Sequence, residues 1–298
     1  MRYLNAILVA SGALALLSPR AVASTIFTIA RGNENLRAID EQTHAITTIA
    51  TGFSDALDVK LLPNGNLIVT DNAAHALKTF DRNGNPLATN SLAFNPADLL
   101  VEADGTIYST SVNRVSVGTA AGAFSLYSSV PGDLSGIVQR GSFLYTVSAA
   151  GGLYKIDMTN GNAATNYSLI RSFPGELRGL ALFGSDLLVT DYGSGQIDRV
   201  SGLDSGPVTS TLFATLSLAG GIIQAGGGGF FVTQQTTPGA VYALDTSGNL
   251  TALYGPNAGF GSPRGLAELY VPAPEPATLC LLGLAGALGA RRRSPRPR

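Results

Sequence analysis

The residue types able to do chemistry in this chain recur at regular places. Asp58 and Asp98 stand 40 residues apart, each followed by an aliphatic residue. Asp133 and Glu176 share a position in two copies of one turn, Pro131-Gly132-Asp133-Leu134-Ser135-Gly136 and Pro174-Gly175-Glu176-Leu177-Arg178-Gly179. Asp191 closes the run Leu187-Leu188-Val189-Thr190-Asp191, a copy of Leu67-Ile68-Val69-Thr70-Asp71 displaced by 120 residues. Gathered at one point, such carboxylates would suit a hard cation of the Ca²⁺ type, which takes several oxygen ligands. An ion held that way polarises a carbonyl and activates water. Arg178 and Arg264 each precede a Gly-Leu pair, and a guanidinium grips a carboxylate or sugar acid through two parallel hydrogen bonds. Two plainer readings stand beside these. Repeated acids arise from repeated turns, where Asp caps the turn amides, and the two arginines could pair with neighbouring acids. The sequence therefore establishes no metal ligand set and requires no cofactor, Ca²⁺ being the ion these acids would fit.

Other chemistries lack their residues. His44 and His75 are the only imidazoles, and each falls in a turn. There is no Walker-type loop, zinc spacing or serine elbow. Gly226-Gly227-Gly228-Gly229 is followed by neither a helix nor a lysine, and so reads as a hairpin turn rather than a phosphate cradle. Residues 24–273 hold twelve basic and nineteen acidic residues, a net of −7. That balance argues against nucleic acid, whose phosphates need a basic face. The only cysteine, Cys280, lies outside this body, which therefore has no disulfide.

The elements that must position these residues are short strands. Six β-branched or aromatic runs begin at 25, 67, 107, 144, 187 and 230, on average 41 residues apart. Each follows another strand with its own repeated opening: Asp58-Val59, Asp98-Leu99, Gly136-Ile137, Gly179-Leu180, Gly221-Ile222 and Gly265-Leu266. A third strand runs into an Asp and a glycine turn, as at Asp81-Arg82-Asn83-Gly84 and Asp245-Thr246-Ser247-Gly248. A fourth follows, for instance 45–49 or 209–213. Four antiparallel strands per repeat make a propeller blade. Six blades of this length fill 24–271, giving an all-β, six-bladed β-propeller. The first repeat lacks its first strand, and Arg264 to Leu269 supplies one, so the two termini should close a single blade and leave no open edge. One rim would then gather the loops leading into the first strands, with Asp55, Asn95, Asp133, Glu176, Arg178 and Arg264, and the loops leaving the second, with Arg31, Glu34, Asp71, Asn113 and Asp191.

The two ends are addresses. Residues 1–23 carry Arg2, an uncharged run from Leu4 to Leu17, and the small-x-small tripeptide Ala21-Val22-Ala23, the layout of a cleaved signal peptide. Residues 272–298 carry Pro274-Glu275-Pro276, an apolar stretch from Ala277 to Ala290, and then Arg291-Arg292-Arg293. As a helix that stretch is about 21 Å long, short of a membrane core near 30 Å.

The C-terminal order of Pro-Glu-Pro, short apolar segment and arginine cluster resembles the PEP-CTERM sorting signal. In that family the signal marks envelope proteins of Gram-negative, exopolysaccharide-producing bacteria for an exosortase. The resemblance implies export, transient inner-membrane anchoring, cleavage near the motif and delivery to the cell envelope or surface. Asp71 to Asp81 resembles an NHL-type repeat, with Asp191 to Val200 a weaker copy, and the six-bladed count is similar to NHL and SMP-30/gluconolactonase-like propellers. SMP-30-like lactonases hold an ion with Glu, Asn and Asp, but their ligand positions do not map onto this chain residue by residue. Two functions follow as expectations. The first is an exported binding or structural module, with an exosortase and an exopolysaccharide or surface protein as partners. The alternative is a metal-assisted lactonase or hydrolase using carboxylates at the channel mouth.

Overall fold

The computed structural model describes residues 24–32, 34–160, 165–254 and 261–270. The leader with Ala21 and Ala23, the Pro274-Glu275-Pro276 motif and Cys280 lie outside them.

Local turn chemistry sets the hairpins. Asp81 Oδ1 accepts the amides of Asn83 and Asn85, both at 2.9 Å, while Gly84 supplies the positive φ of 86°. Asp245 repeats the arrangement with Ser247 and Asn249, both at 2.8 Å. A carboxylate that satisfies amides inside the turn favours the tight connection over a longer loop.

These hairpins join 24 strands into six four-stranded antiparallel sheets. The first blade contains β1 (Thr25–Arg31), β2 (Asn35–Asp40) and β3 (Ile46–Ala50). The second is β4 (Ala56–Leu61), β5 (Leu67–Asp71), β6 (Ala76–Phe80) and β7 (Pro86–Ser91). The third is β8 (Leu99–Val101), β9 (Ile107–Ser111), β10 (Arg114–Gly118) and β11 (Ser125–Ser128). The fourth is β12 (Leu134–Arg140), β13 (Phe143–Ser148), β14 (Gly152–Asp157) and β15 (Tyr167–Ser172). The fifth is β16 (Leu177–Phe183), β17 (Asp186–Asp191), β18 (Gln196–Ser201) and β19 (Thr209–Thr215). The sixth is β20 (Ala219–Gln224), β21 (Phe230–Gln234), β22 (Ala240–Leu244) and β23 (Leu250–Tyr254). Finally β24 (Ser262–Leu269) returns to pair with β1, Phe27 facing Ala267 and Thr25 facing Leu269. The termini thus close the first blade, and no helix occurs among the described residues.

Burial grades outward along each blade. The second strands β5, β9 and β17 are buried at every position, because neighbouring blades cover both faces of the sheet. Between the first two blades Phe27, Leu36, Val59, Leu67 and Phe80 form one such core. The fourth strands are the most exposed, β7 almost throughout, although the second half of β11 is buried. All six pair with their third strand through a register shift, and bulges of this kind twist an edge away from further pairing.

The innermost strands approach one another closely, and two residue types make that possible. The first is a buried threonine in every second strand: Thr28, Thr70, Thr110, Thr146, Thr190 and Thr233. Thr190 Oγ1 accepts the Gly179 amide at 2.7 Å and donates to Gly220 O of the next blade at 2.6 Å. Thr70 links Asp58 N at 2.8 Å to Ala97 O at 3.0 Å in the same way, and Thr233 reaches Arg264 O at 3.2 Å. The second is glycine in the innermost strand. A Cβ on Gly179 would lie 2.6 Å from Gly220 O, and one on Gly221 or Gly265 would collide with the backbone of Arg264 or Asp58. Four blades carry glycine at this place, and the other two carry Asp58 and Asp98.

Candidate functional site

The rim loops are fixed by one recurring bond. The residue just past a second strand donates its amide to a carbonyl in its blade's leading loop: Asn72 to Asp55 at 2.9 Å, Ala149 to Asp133 at 2.8 Å, Tyr192 to Glu176 at 2.7 Å and Gln235 to Leu218 at 2.9 Å. Asp55, Asp133 and Glu176 therefore hold equivalent places on the rim. In the second blade the fully buried Asp71 adds a further lock. Its carboxylate accepts the Ser54 amide at 3.1 Å, the Asp55 amide at 3.0 Å and Lys78 Nζ at 2.7 Å. Burial opposes its ionised form, but Lys78 and the two amides prevail and keep Asp71 below the ordinary aspartate range.

The mouth opens into a polar cavity of about 510 Å³, within the range of small-molecule sites. Its wall divides by sign. Asp55, Asp58, Asp98 and Asp133 come from blades two to four, while Arg178, Arg264 and Arg31 come from blades five and one. Asn72, Asn95 and Gln235 add neutral amides.

On the acidic side a lysine stands between the carboxylates. Lys60 Nζ lies 2.7 Å from both Asp58 oxygens and 3.3 Å from Asp98 Oδ1. Asp58 Oδ2 and Asp98 Oδ1 also accept the Leu99 amide, at 2.9 and 2.8 Å. Burial works against the ammonium, yet the two carboxylates more than offset it and raise the Lys60 pKa. The carboxylates titrate as a pair. Burial and the Asp98 charge push Asp58 well above the usual carboxylate range, while Lys60 and the hydrogen bonds outweigh burial at Asp98 and lower it. Lys60 also lines a second hollow of about 310 Å³ with Ile223, Leu266, Glu268 and Tyr270 at the far ends of β4, β20 and β24. The Asp58–Lys60–Asp98 bridge thus stands between the two ends of the channel.

The basic side is answered less completely. Arg178 bonds to Glu176, and its guanidinium lies 5.5 Å from the centre of the Tyr192 ring, but its Nε is buried without a partner. Arg31 Nε stands 3.5 Å from Asp55 Oδ1. Arg264 has no side-chain hydrogen bond or ion pair among the described residues, and its Nε is also buried and unsatisfied. Burial, with Arg31 and Arg178 nearby, outweighs the opposing pull of Asp55 and Glu34 and brings its pKa down to about 10.

Of the residues singled out from the sequence, Asp58, Asp98, Asp133, Arg178 and Arg264 line the cavity, and Glu176 and Asp191 do not. Glu176 turns to Arg178, and buried Asp191 accepts the Ser194 amide at 3.0 Å. Both histidines sit away from the cavity. His44 stacks edge-on against Tyr254, and His75 takes the positive-φ turn position at 51°. No three His, Cys, Asp or Glu side chains are grouped for a metal among the described residues. Asp58 and Asp98 do not suit a Ca²⁺ ion, because an ammonium already occupies the point where they converge. Lys60 was not evident from the repeats. Its signal was its spacing, since residues two apart in a strand share a face, so Lys60 had to follow Asp58 into the channel.

Comparison with known proteins now bears on both parts of the chain. Residues 272–294 match the PEP-CTERM protein-sorting motif. The chain carries an exosortase sorting signal. That signal implies processing by an exosortase and export to the cell envelope or surface. No curated protein matches the chain. Solved structures match the propeller. A structure from a nidogen/laminin complex has a TM-score of 0.68 at 14% identity, over 82% of this chain and 98% of that one. Regucalcin, a calcium-binding protein from Agrobacterium tumefaciens, has a TM-score of 0.56 at 17% identity over 68% of this chain and 74% of its own. Virginiamycin B lyase from Staphylococcus aureus has a TM-score of 0.54 at 16% identity over 70% and 73%. At these identities the likeness is one of fold alone, a six-bladed β-propeller with NHL/SMP-30-like structural neighbours.

Proposed function

We propose that this exosortase-sorted chain is a binding module displayed on the envelope or in the extracellular matrix of a Gram-negative bacterium. The ligand site in this reading is the channel mouth, and the partner is an exopolysaccharide or another surface protein. One observation carries the proposal: Lys60 already answers Asp58 and Asp98, the innermost of the carboxylates that a metal-assisted hydrolase would draw on, while a roomy polar cavity with unanswered guanidinium nitrogens remains beside them. A site without an ion-binding set, an imidazole or an activated nucleophile supports recognition better than turnover.

The test has two arms. A glycan array probed with the purified protein, alongside a pull-down from envelope fractions, is expected to return a ligand lost on mutating the cavity wall. Hydrolysis of a panel of aldonolactones, with and without Ca²⁺, is expected to remain at the buffer rate. Ca²⁺-dependent lactone turnover would replace this reading with the hydrolase one. Sorting is tested separately by mass spectrometry of the exported form, which should have lost Arg298.

A further inference from the structure

Resting on that reading, we propose that Arg264 and Arg178 hold the carboxylate of a small hydroxylated monoacid, of the hexuronic-acid class, in the channel mouth. A guanidinium is removed from water only at a cost, and folded proteins recover that cost by pairing it. Arg264 departs from this pattern. It lies in the cavity wall on β24 with its Nε buried and unsatisfied, and although Asp55 and Glu34 lie near enough to favour its charge, neither forms an ion pair with it. Arg178 occupies the equivalent place on β16, immediately before the close-approach glycine; one of its terminal nitrogens is held by Glu176, but its Nε is likewise buried without a partner. Two guanidinium groups in one cavity wall, each with a nitrogen left unanswered inside the fold, supply donors of the kind that a planar carboxylate accepts.

The rest of the wall narrows the class. Asp58 and Asp98 would repel an anion if bare, but Lys60 answers both of them. Over the whole lining four cations balance four carboxylates, so a singly charged acid is accommodated more readily than a phosphate dianion. Asn95 and Gln235, whose side-chain amides make no hydrogen bond among the described residues, suit hydroxyl groups rather than a second charge. The volume of about 510 Å³ accepts one or two sugar rings.

Isothermal titration of the full chain with glucuronate, glucose, glucose 6-phosphate and acetate tests the assignment. Glucuronate should bind at least about tenfold more tightly than either glucose or the phosphate ester, the usual scale of a charge-assisted pair. Arg264→Gln should lower glucuronate affinity by about tenfold or more. It should also leave the melting temperature of the empty protein unchanged or raised, because a buried charge without a partner has been removed. Arg264→Lys, which keeps the charge and loses the fork, should recover only part of the binding. Equal affinity for glucose and glucuronate, or full glucuronate binding by Arg264→Gln, overturns the carboxylate assignment. A lower melting temperature in Arg264→Gln with unaltered binding also overturns it, by showing that Arg264 serves the fold. The binding-module reading fails on a different sign: ¹H NMR of the titrated sample showing glucuronate or its lactone consumed.

Discussion

Replacing Lys60 with methionine tests the central feature of the channel. The substitution keeps most of the side-chain length and removes the ammonium between Asp58 and Asp98. Asp58 is only 4% exposed, and Lys60 and Asp98 are each 24% exposed in their side chains. Taking one partner from a fully buried pair costs about 3–5 kcal/mol. Partial access of water to Lys60 and Asp98 trims that figure, as does the freedom of the carboxylates to share a proton. A loss of about 2–4 kcal/mol at pH 7 is expected, a large share of a stability near 5–15 kcal/mol. The loss should depend on pH. Asp58 already holds its proton above the usual carboxylate range, and without Lys60 the pair holds it more tightly still. The native state is then favoured at low pH and loses stability as pH rises through the raised folded-state pKa. The difference between variant and parent should therefore shrink from pH 7 to pH 5. Urea unfolding at the two pH values measures it, provided two spectroscopic probes give coincident transitions. Adding Asp58→Asn to Lys60→Met should recover much of the loss, because only one carboxylate then remains. A loss below about 0.5 kcal/mol at pH 7, or one of equal size at both pH values, would refute the reasoning, since a buried carboxylate pair must register removal of its cation.

Other consequences are smaller in scope. Thr190→Val preserves shape but strands the Gly179 amide and the Gly220 carbonyl; a loss of about 1–3 kcal/mol is expected by urea unfolding, and no loss would mean that the threonine links do not hold the inner strands. Gly221→Ala drives a methyl into the Arg264 carbonyl of the next blade; it should cost at least about 1–3 kcal/mol, whereas Gly105→Ala, with open space around it, should show only the penalty of its positive φ of 88°. Asp71→Asn weakens three contacts of one carboxylate and should cost about 2 kcal/mol at pH 7. Because the folded pKa of Asp71 is depressed, that contribution is present above the ordinary aspartate pKa and lost as pH falls through the folded value. A parent-to-variant gap that failed to close in acid would sink that account.

Much of the architecture could be read directly from residue order. Strand-length apolar runs at a period near 41 residues, Asp-led glycine turns and a missing first strand fixed six blades and their closure. The reason is that these signals are local: an Asp satisfies amides two and four residues away, and a β-branched run extends whatever lies across from it. The same holds for the sorting signal at 272–294, which is a linear motif. The candidate site was legible only in outline. Asp133 and Glu176 share a rim position as their matching turns implied, yet one lines the cavity while the other pairs with Arg178 two residues on. Asp191 and Asp71 close matching pentapeptides that differ at one position, but one caps a turn at Ser194 and the other is joined to Lys78. Sequence alone thus determined the ring, the rim and the chemical types that meet there. Only tertiary structure decided which charges meet. Lys60 and Asp98 lie 38 residues apart on neighbouring blades, and Arg264 reaches the mouth from the end of the chain that closes the ring. Pairings of that kind depend on how far each inner strand advances toward the axis, which is set by glycine contacts and threonine links between blades rather than by anything in the strand itself.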